Sequence, residues 1–245
     1  MLPLFYRSAA HSHVGLVRQI NEDAYLDRPE DGLWVVADGM GGHAAGDYVS
    51  SLIVDSLRRI APPDSLEDYD EILRRGLAQV NDAVREETRV RGVSIMGSTV
   101  VLMAVREDRG LCLWAGDSRL YRLRDGELSA VSRDHSYVQE LQDSGLLSEA
   151  EARVHPRANI VTRAIGVQDQ LELSALQLDI LPGDTWLLCS DGLTRTAEDH
   201  EIRDVLGHAD PYQVVRSLVH LGLTRGAPDN ITAIVIKASE PSSWT

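Results

Sequence analysis

The stretch Trp34–Gly46, WVVADGMGGHAAG, joins an apolar run to an aspartate and then to four glycines within the eight positions 39–46. Such a run reads as a strand that ends at a sheet edge, presenting one carboxylate with little side-chain bulk around it. That arrangement suits a cation or a phosphate; the simpler reading is a tight turn. Ala45, Val49, Leu52, Ile53, Ser56 and Ile60 then recur at helical spacing, so a helix is expected after the glycines.

Working outward, alternation around HSHVGL reads as an earlier strand. After the PPDS break, Tyr69, Leu73, Leu77, Val80 and Val84 mark a long amphipathic helix ending near Gly92. Residues 97–131 carry STVVLMAV, LCLWAG, RLYRL and ELSAV between turn signals, which predicts an antiparallel meander. Between Ser136 and about Gly166 the pattern weakens into short helical pieces around SYVQELQDSG and SEAEARV, a candidate surface insert. Strand patterns return at LELSALQLDI and DTWLLCSD, a helix with apolar Tyr212, Val215, Leu218 and Val219 follows, and NITAIVIKA closes the core. Strands in series rather than in strict alternation with helices predict an α+β protein with an antiparallel core and helices outside.

Composition narrows the class. A chain of 245 residues that is 43% hydrophobic can bury a large core, and the absence of a linker or repeat predicts a single domain over 1–245. A net charge of −14 argues against nucleic acid and anionic membranes as partners. No apolar run approaches the ~18 residues of a membrane span, and the opening MLPLFY is too short for a signal peptide, so a cytoplasmic protein is expected. Cys112 and Cys189 sit inside apolar runs and read as buried thiols.

The opening pattern recurs. LCLWAGD ends at Asp117, TWLLCSD at Asp191, and Asp229 stands just before the final strand. Any one of these is most simply a turn residue, but carboxylates converging at strand ends repel one another unless a cation neutralises them. Oxygen ligands without a His or Cys pair at zinc spacing indicate a hard ion such as Mg2+ or Mn2+. Two such ions would activate water toward a phosphoryl group, and Arg18, close to Glu22 and Asp23, offers a bidentate clamp for phosphate oxygens.

Taken in order, GLVRQINEDA, VADGMGGHAAG, MGSTVV, AGDSRLY, SRDHS, RAIG, LLCSDGL and PDNIT resemble the motifs of the metal-dependent PP2C-like serine/threonine protein phosphatases, in particular the compact bacterial members, over residues 7–237. The resemblance implies a four-layer αββα sandwich, with two antiparallel sheets flanked by helices. It implies hydrolysis of phosphoserine and phosphothreonine by a water that two Mn2+ or Mg2+ ions activate, with a third, weaker metal site. Asp38 would bridge both metals, Gly39 would offer its carbonyl to one, and Asp191 and Asp229 would complete the other. Asp117, with Asp191, would hold the third. Arg18 would bind the phosphate, Asp23 or Glu22 would support the metal waters or the arginine, and Asn230 would tether Asp229. Residues 136–170 would form a flap beside the cleft, with His155, Arg157 and Arg163 in or beside it. The expected partners are phosphorylated proteins, among them a serine/threonine kinase and its substrates, met by a monomeric enzyme.

One departure concerns proton transfer. Eukaryotic relatives carry a histidine directly after the metal-binding Asp-Gly, whereas this chain has Met40, with His43 three residues on. Two rival readings are open. CSDGLTR, Cys189–Arg195, has the C-x5-R spacing of cysteine-dependent phosphatases, although Asp191 would repel phosphate from such a cradle. The other rival is a catalytically inactive PP2C-like module that binds phosphoproteins. No glycine-rich phosphate loop followed by lysine occurs.

Overall fold

Side-chain parity along the strands sorts the molecule into layers. The computed structural model describes residues 4–41 and 45–240. One sheet contains β1 (Phe5–His13), β7 (Arg119–Arg124), β8 (Glu127–Ala130), β10 (Thr185–Cys189) and β11 (Ile231–Ser239), in the spatial order β1-β11-β10-β7-β8. The other contains β2 (Asp23–Arg28), β3 (Leu33–Met40), β5 (Val100–Arg106), β6 (Arg109–Ala115) and β9 (Ser174–Asp179) in that order, with the two-residue β4 (Gly97–Ser98) paired to the end of β3. Every pairing is antiparallel.

Successive residues of a strand point to opposite faces. Along β3, Trp34 and Val36 turn inward to a core between the sheets, with Val101, Met103, Trp186, Leu188, Ile234 and Ile236. Leu33, Val35 and Ala37 turn outward to α1 (Gly46–Arg58) and α2 (Leu66–Arg91). On the other sheet, Leu187, Cys189, Ala233 and Val235 face α5 (Asp191–Thr194), α6 (Asp199–Leu206) and α7 (Pro211–Thr224). The predicted four layers, helix–sheet–sheet–helix, are present. Each fully buried large aliphatic side chain contributes about 1.5–3 kcal/mol relative to its exposed state.

Local chemistry fixes the element ends. Ser65 caps α2 by accepting from the Asp68 amide, Glu67 and Asp68 lie in its first turn, and Gly92 closes it at φ 64°. The five periodic residues from Tyr69 to Val84 are all buried. Phe5 pairs with Ser239 at one end of the β1–β11 ladder, and His13 with Ile231 at the other.

Four expectations need correction. The strand read around HSHVGL stops at His13, and the chain leaves the sheet at Val14. The meander over 97–131 is split: β5 and β6 pair in one sheet, β7 and β8 in the other. The crossing occurs at Gly116, whose φ of 118° no other residue adopts readily and where a Cβ would press on Thr99. Tyr212 does not join the apolar face of α7; it is 53% exposed. The insert is anchored before residue 170, because Ile165 is buried and bridges Ser98, and the Gly166 amide donates to Asn81 Oδ1 at 2.8 Å. Only α3 (Tyr137–Asp143), α4 (Glu149–Arg153) and their connections stand apart. Both cysteines are free and buried as expected, and among the described residues no helix is long and apolar enough to cross a membrane.

Candidate functional site

The inward-facing apolar series of three strands end in polar residues at the same end of the sandwich. After Trp34 and Val36 comes Asp38, after Trp186 and Leu188 comes Ser190, and before Ile234 and Ile236 comes Thr232. Asp23 is the register partner of Asp38 on β2. Ser190 Oγ donates to Asp23 Oδ2 at 2.8 Å and accepts from the Thr232 amide at 3.0 Å. Thr232 Oγ1 meets Ser12 Oγ at 2.7 Å, and Asn21 Nδ2 donates to Ser12 Oγ at 2.8 Å. The backbone of Asp38 is held at both atoms: its amide donates to Thr99 Oγ1 at 3.2 Å, and its carbonyl accepts from the Thr99 amide at 2.9 Å and from Ser98 Oγ at 3.0 Å.

The electrostatics are those of crowded, desolvated carboxylates. Burial, then the charges of Asp23, Asp191, Asp117 and Asp229, hold Asp38 well above the ordinary carboxylate range. Burial and then Asp191 push Asp117 up to about 8. Burial raises Asp23 to about 7 against the hydroxyls of Thr232 and Ser190, and raises Asp191 to about 6 against Arg195. Asp23 Oδ1 and Asp191 Oδ1 are buried with no hydrogen-bond partner. Orphaned carboxylate oxygens and an all-oxygen donor set fit a hard divalent cation. As the side chains stand, no three His, Cys, Asp or Glu residues among the described residues form a ready cage. Among these acids stands a residue the sequence reading did not place at the site. The Arg195 guanidinium pairs with Asp191 and lies 4.0 Å from Asp117 Oδ2 and 3.8 Å from Asp229 Oδ2. Its signal in the sequence was the i,i+4 spacing from Asp191 on one helical turn.

The loop from Val14 to Glu22 carries the arginine clamp. Arg18 Nη2 donates to Asp229 Oδ2 at 2.9 Å, with about half of the side chain exposed. Asn230 does more than tether its neighbour. Its Nδ2 donates to the carbonyls of Val14 (2.9 Å) and Ile20 (3.0 Å), its Oδ1 accepts from the Glu22 amide (2.8 Å), and its own amide donates to Asp229 Oδ1 (3.0 Å). Glu22 serves α1, accepting from the Gly46 amide through Oε1 at 3.2 Å. Gly39 is required by packing: a Cβ there would strike the Gly46 backbone and come within 2.6 Å of Glu22 O. Gly192 likewise faces the Asn230 carbonyl with no room for a methyl.

The remaining candidates fall outside the tier of carboxylates. Cys189 points to the outer helices, and burial pushes its thiol up to about 12, which removes the thiolate that the C-x5-R reading needs. Met40 pairs with Gly97 at the end of β3, and His43 lies outside the described residues. His155 and Arg157 pack on the Tyr137 ring, at 5.9 and 5.4 Å, and Arg163 lies 3.7 Å from Glu172. A groove of about 690 Å³ runs from Asp117 and Asp191 beneath α3 and α4 to Glu198 and Asp199. Arg153 of α4 pairs with Glu198 across it, a second feature invisible in the sequence.

Known proteins resemble this chain both in sequence and in fold. A family profile described as protein phosphatase 2C matches residues 7–221. A solved structure from Pseudomonas aeruginosa, PppA, described as a key regulatory component of T6SS, is 68% identical, with a TM-score of 0.91 over 96% of this chain and 98% of that one. The serine/threonine protein phosphatase PstP of Mycobacterium tuberculosis is 35% identical over 95% of this chain, which spans 45% of that relative's length. The catalytic domain of PstP, solved with two manganese ions, superposes with a TM-score of 0.85 at 33% identity, over 97% of this chain and all of that one. The serine/threonine phosphatase stp of Listeria welshimeri is 32% identical over 91% of this chain and 92% of its own length.

Proposed function

The chain belongs to the protein phosphatase 2C family, and from that premise we propose that it hydrolyses phosphoserine and phosphothreonine monoesters in proteins, using divalent metal held at the carboxylate tier. The observation that carries this reading is the convergence of Asp23, Asp38, Asp117 and Asp191, desolvated and mutually repelling, at one end of the sheets beside Arg18 and Asp229.

In this reading Asp38, Asp191 and Asp229, with the Gly39 carbonyl, hold two Mn2+ or Mg2+ ions, and Asp117 with Asp191 holds a third more weakly. Such ions supply, when bound, acidification of a water and screening of the phosphoryl charge. The chain's own residues do the positioning. Arg18 places a guanidinium fork at the mouth of the site, where a phosphate dianion can take the donors not engaged by Asp229. Asp23 Oδ1, buried without a protein donor, offers an acceptor that orients water. Asn230 and Glu22 hold the arginine loop and the start of α1 in register with Asp229. Of the segment 136–170, the part that carries α3 and α4, before the anchor at Ile165, acts as the flap that shapes the groove. Partners are phosphoproteins, including a kinase and its substrates, rather than nucleic acid or membrane, and the likeness to PppA supports a place in the regulation of T6SS.

The test is phosphate release from a phosphothreonine peptide by the purified chain, with Mn2+ and with EDTA. Release is expected with Mn2+ and is lost in EDTA; release that survives EDTA refutes the metal reading, and none in either condition refutes the phosphatase. A second measurement addresses Arg18. Arg18→Ala should raise KM for the phosphopeptide by about tenfold while lowering kcat less. An unchanged KM removes Arg18 from the site.

A further inference from the structure

Arg195 is a charged side chain at the tier to which the proposed chemistry gives no role. The three carboxylates around it come from distant segments: Asp117 follows β6, Asp191 opens α5, and Asp229 precedes β11. Asp191 and Arg195 ride on the same short turn, closed by the Arg195 amide donating to the Asp191 carbonyl at 2.9 Å. Gly192 seats that turn against the Asn230 backbone, so the base of the side chain is fixed while its tip reaches back over the acids.

We propose that Arg195 is a built-in counter-ion of the carboxylates, which a divalent cation must displace from Asp191 and Asp117, so that this side chain weakens and times metal binding. The proposal rests on the metal reading above. A guanidinium and a divalent ion are competitors for the same oxygens, and a residue that neutralises the metal-free state raises the free-energy gap that metal has to close. By the same linkage, whatever Arg195 contributes to the metal-free fold is subtracted from metal affinity. The side chain has room for the exchange: it is 30% exposed and borders the groove. Among the described residues Arg18 forms its ion pair with Asp229 and reaches Asp191 through longer-range charge without pairing with it.

The experiment is calorimetric titration of Mn2+ into the metal-stripped full chain, wild type against R195Q and R195K, with the melting temperature of each stripped protein. R195Q is expected to bind Mn2+ about tenfold more tightly and to melt lower without metal, because the acids then face one another unscreened. R195K keeps the charge but loses the planar fork and should fall between. R195Q or R195K that binds Mn2+ as wild type does, or more weakly, overturns the proposal, and R195K alone decides if R195Q does not fold. A wild-type chain that binds no Mn2+ overturns both this inference and the metal reading.

Discussion

Asp38→Asn loses phosphatase turnover by roughly a thousandfold or more, about 4 kcal/mol of transition-state stabilisation, while the metal-free protein melts higher than wild type. Both effects follow from one geometry. Asp38 is half-buried, crowded by Asp23, Asp191, Asp117 and Asp229, and lies well above the ordinary carboxylate range, so its charge opposes folding and is useful only when a cation arrives. The sign carries over to pH. Asp191 at about 6, Asp23 at about 7 and Asp117 at about 8 all exceed the ordinary value of 3.8. Between that value and their own, the folded state binds more protons than the unfolded chain, so stability falls as pH rises through this window. His135, lowered to about 4 chiefly by burial, pulls the other way below about 6.5, but it is one group against several. In EDTA the melting temperature should therefore be lower at pH 8 than at pH 5, with a shallower slope in Asp38→Asn. A flat wild-type profile, or a variant that melts lower than wild type, contradicts the account, and so does full turnover by the variant.

Gly192→Ala should destabilise the protein by about 3 kcal/mol, which for a chain of this size lowers the melting temperature by roughly 6–12 °C. The added methyl lands on the Asn230 carbonyl oxygen, and neither partner can yield easily. Asn230 donates to Val14 and Ile20 and accepts from Glu22, so displacing it loosens the loop that carries Arg18 and activity falls with stability. Gly76→Ala is the control. It lies inside α2 with its nearest contact, Ile60 Cδ1, at 3.5 Å, and should be neutral or stabilising by up to about 1 kcal/mol. Equal melting of Gly192→Ala and wild type would mean that the α5–Asn230 contact is not tight.

The legible parts of this molecule are those written in short-range periodicity. Trp34, Val36 and Asp38 share one face of β3, so the sequence alone could bring a carboxylate to the end of the inner core, and the step of three and four from Tyr69 to Val84 marked α2. Pairing partners are long-range and leave no such trace. The crossing between sheets at Gly116 looked like one more hairpin turn, because local turn chemistry does not say which sheet the next strand joins. Arg195 was read as the end of a cysteine motif. Its pairing with Asp191 is a local i,i+4 contact, but its approach to Asp117 and Asp229 depends on a fold that gathers residues more than a hundred positions apart. Cys189 shows the converse: its neighbours in sequence suggested a nucleophile, and strand parity turned it to the outer helices.

The antiparallel register of β1 and β11 has a practical consequence. Phe5 and Ser239 are neighbours, and nine residues of β1 separate them from the loop that carries Arg18, about 31 Å at roughly 3.4 Å per residue. A reporter or tether attached at the Phe5–Ser239 end of this ladder therefore starts at the end of β1 opposite the loop that carries Arg18. The two strands can be joined to each other through a short linker and the chain reopened elsewhere without crossing the carboxylate tier.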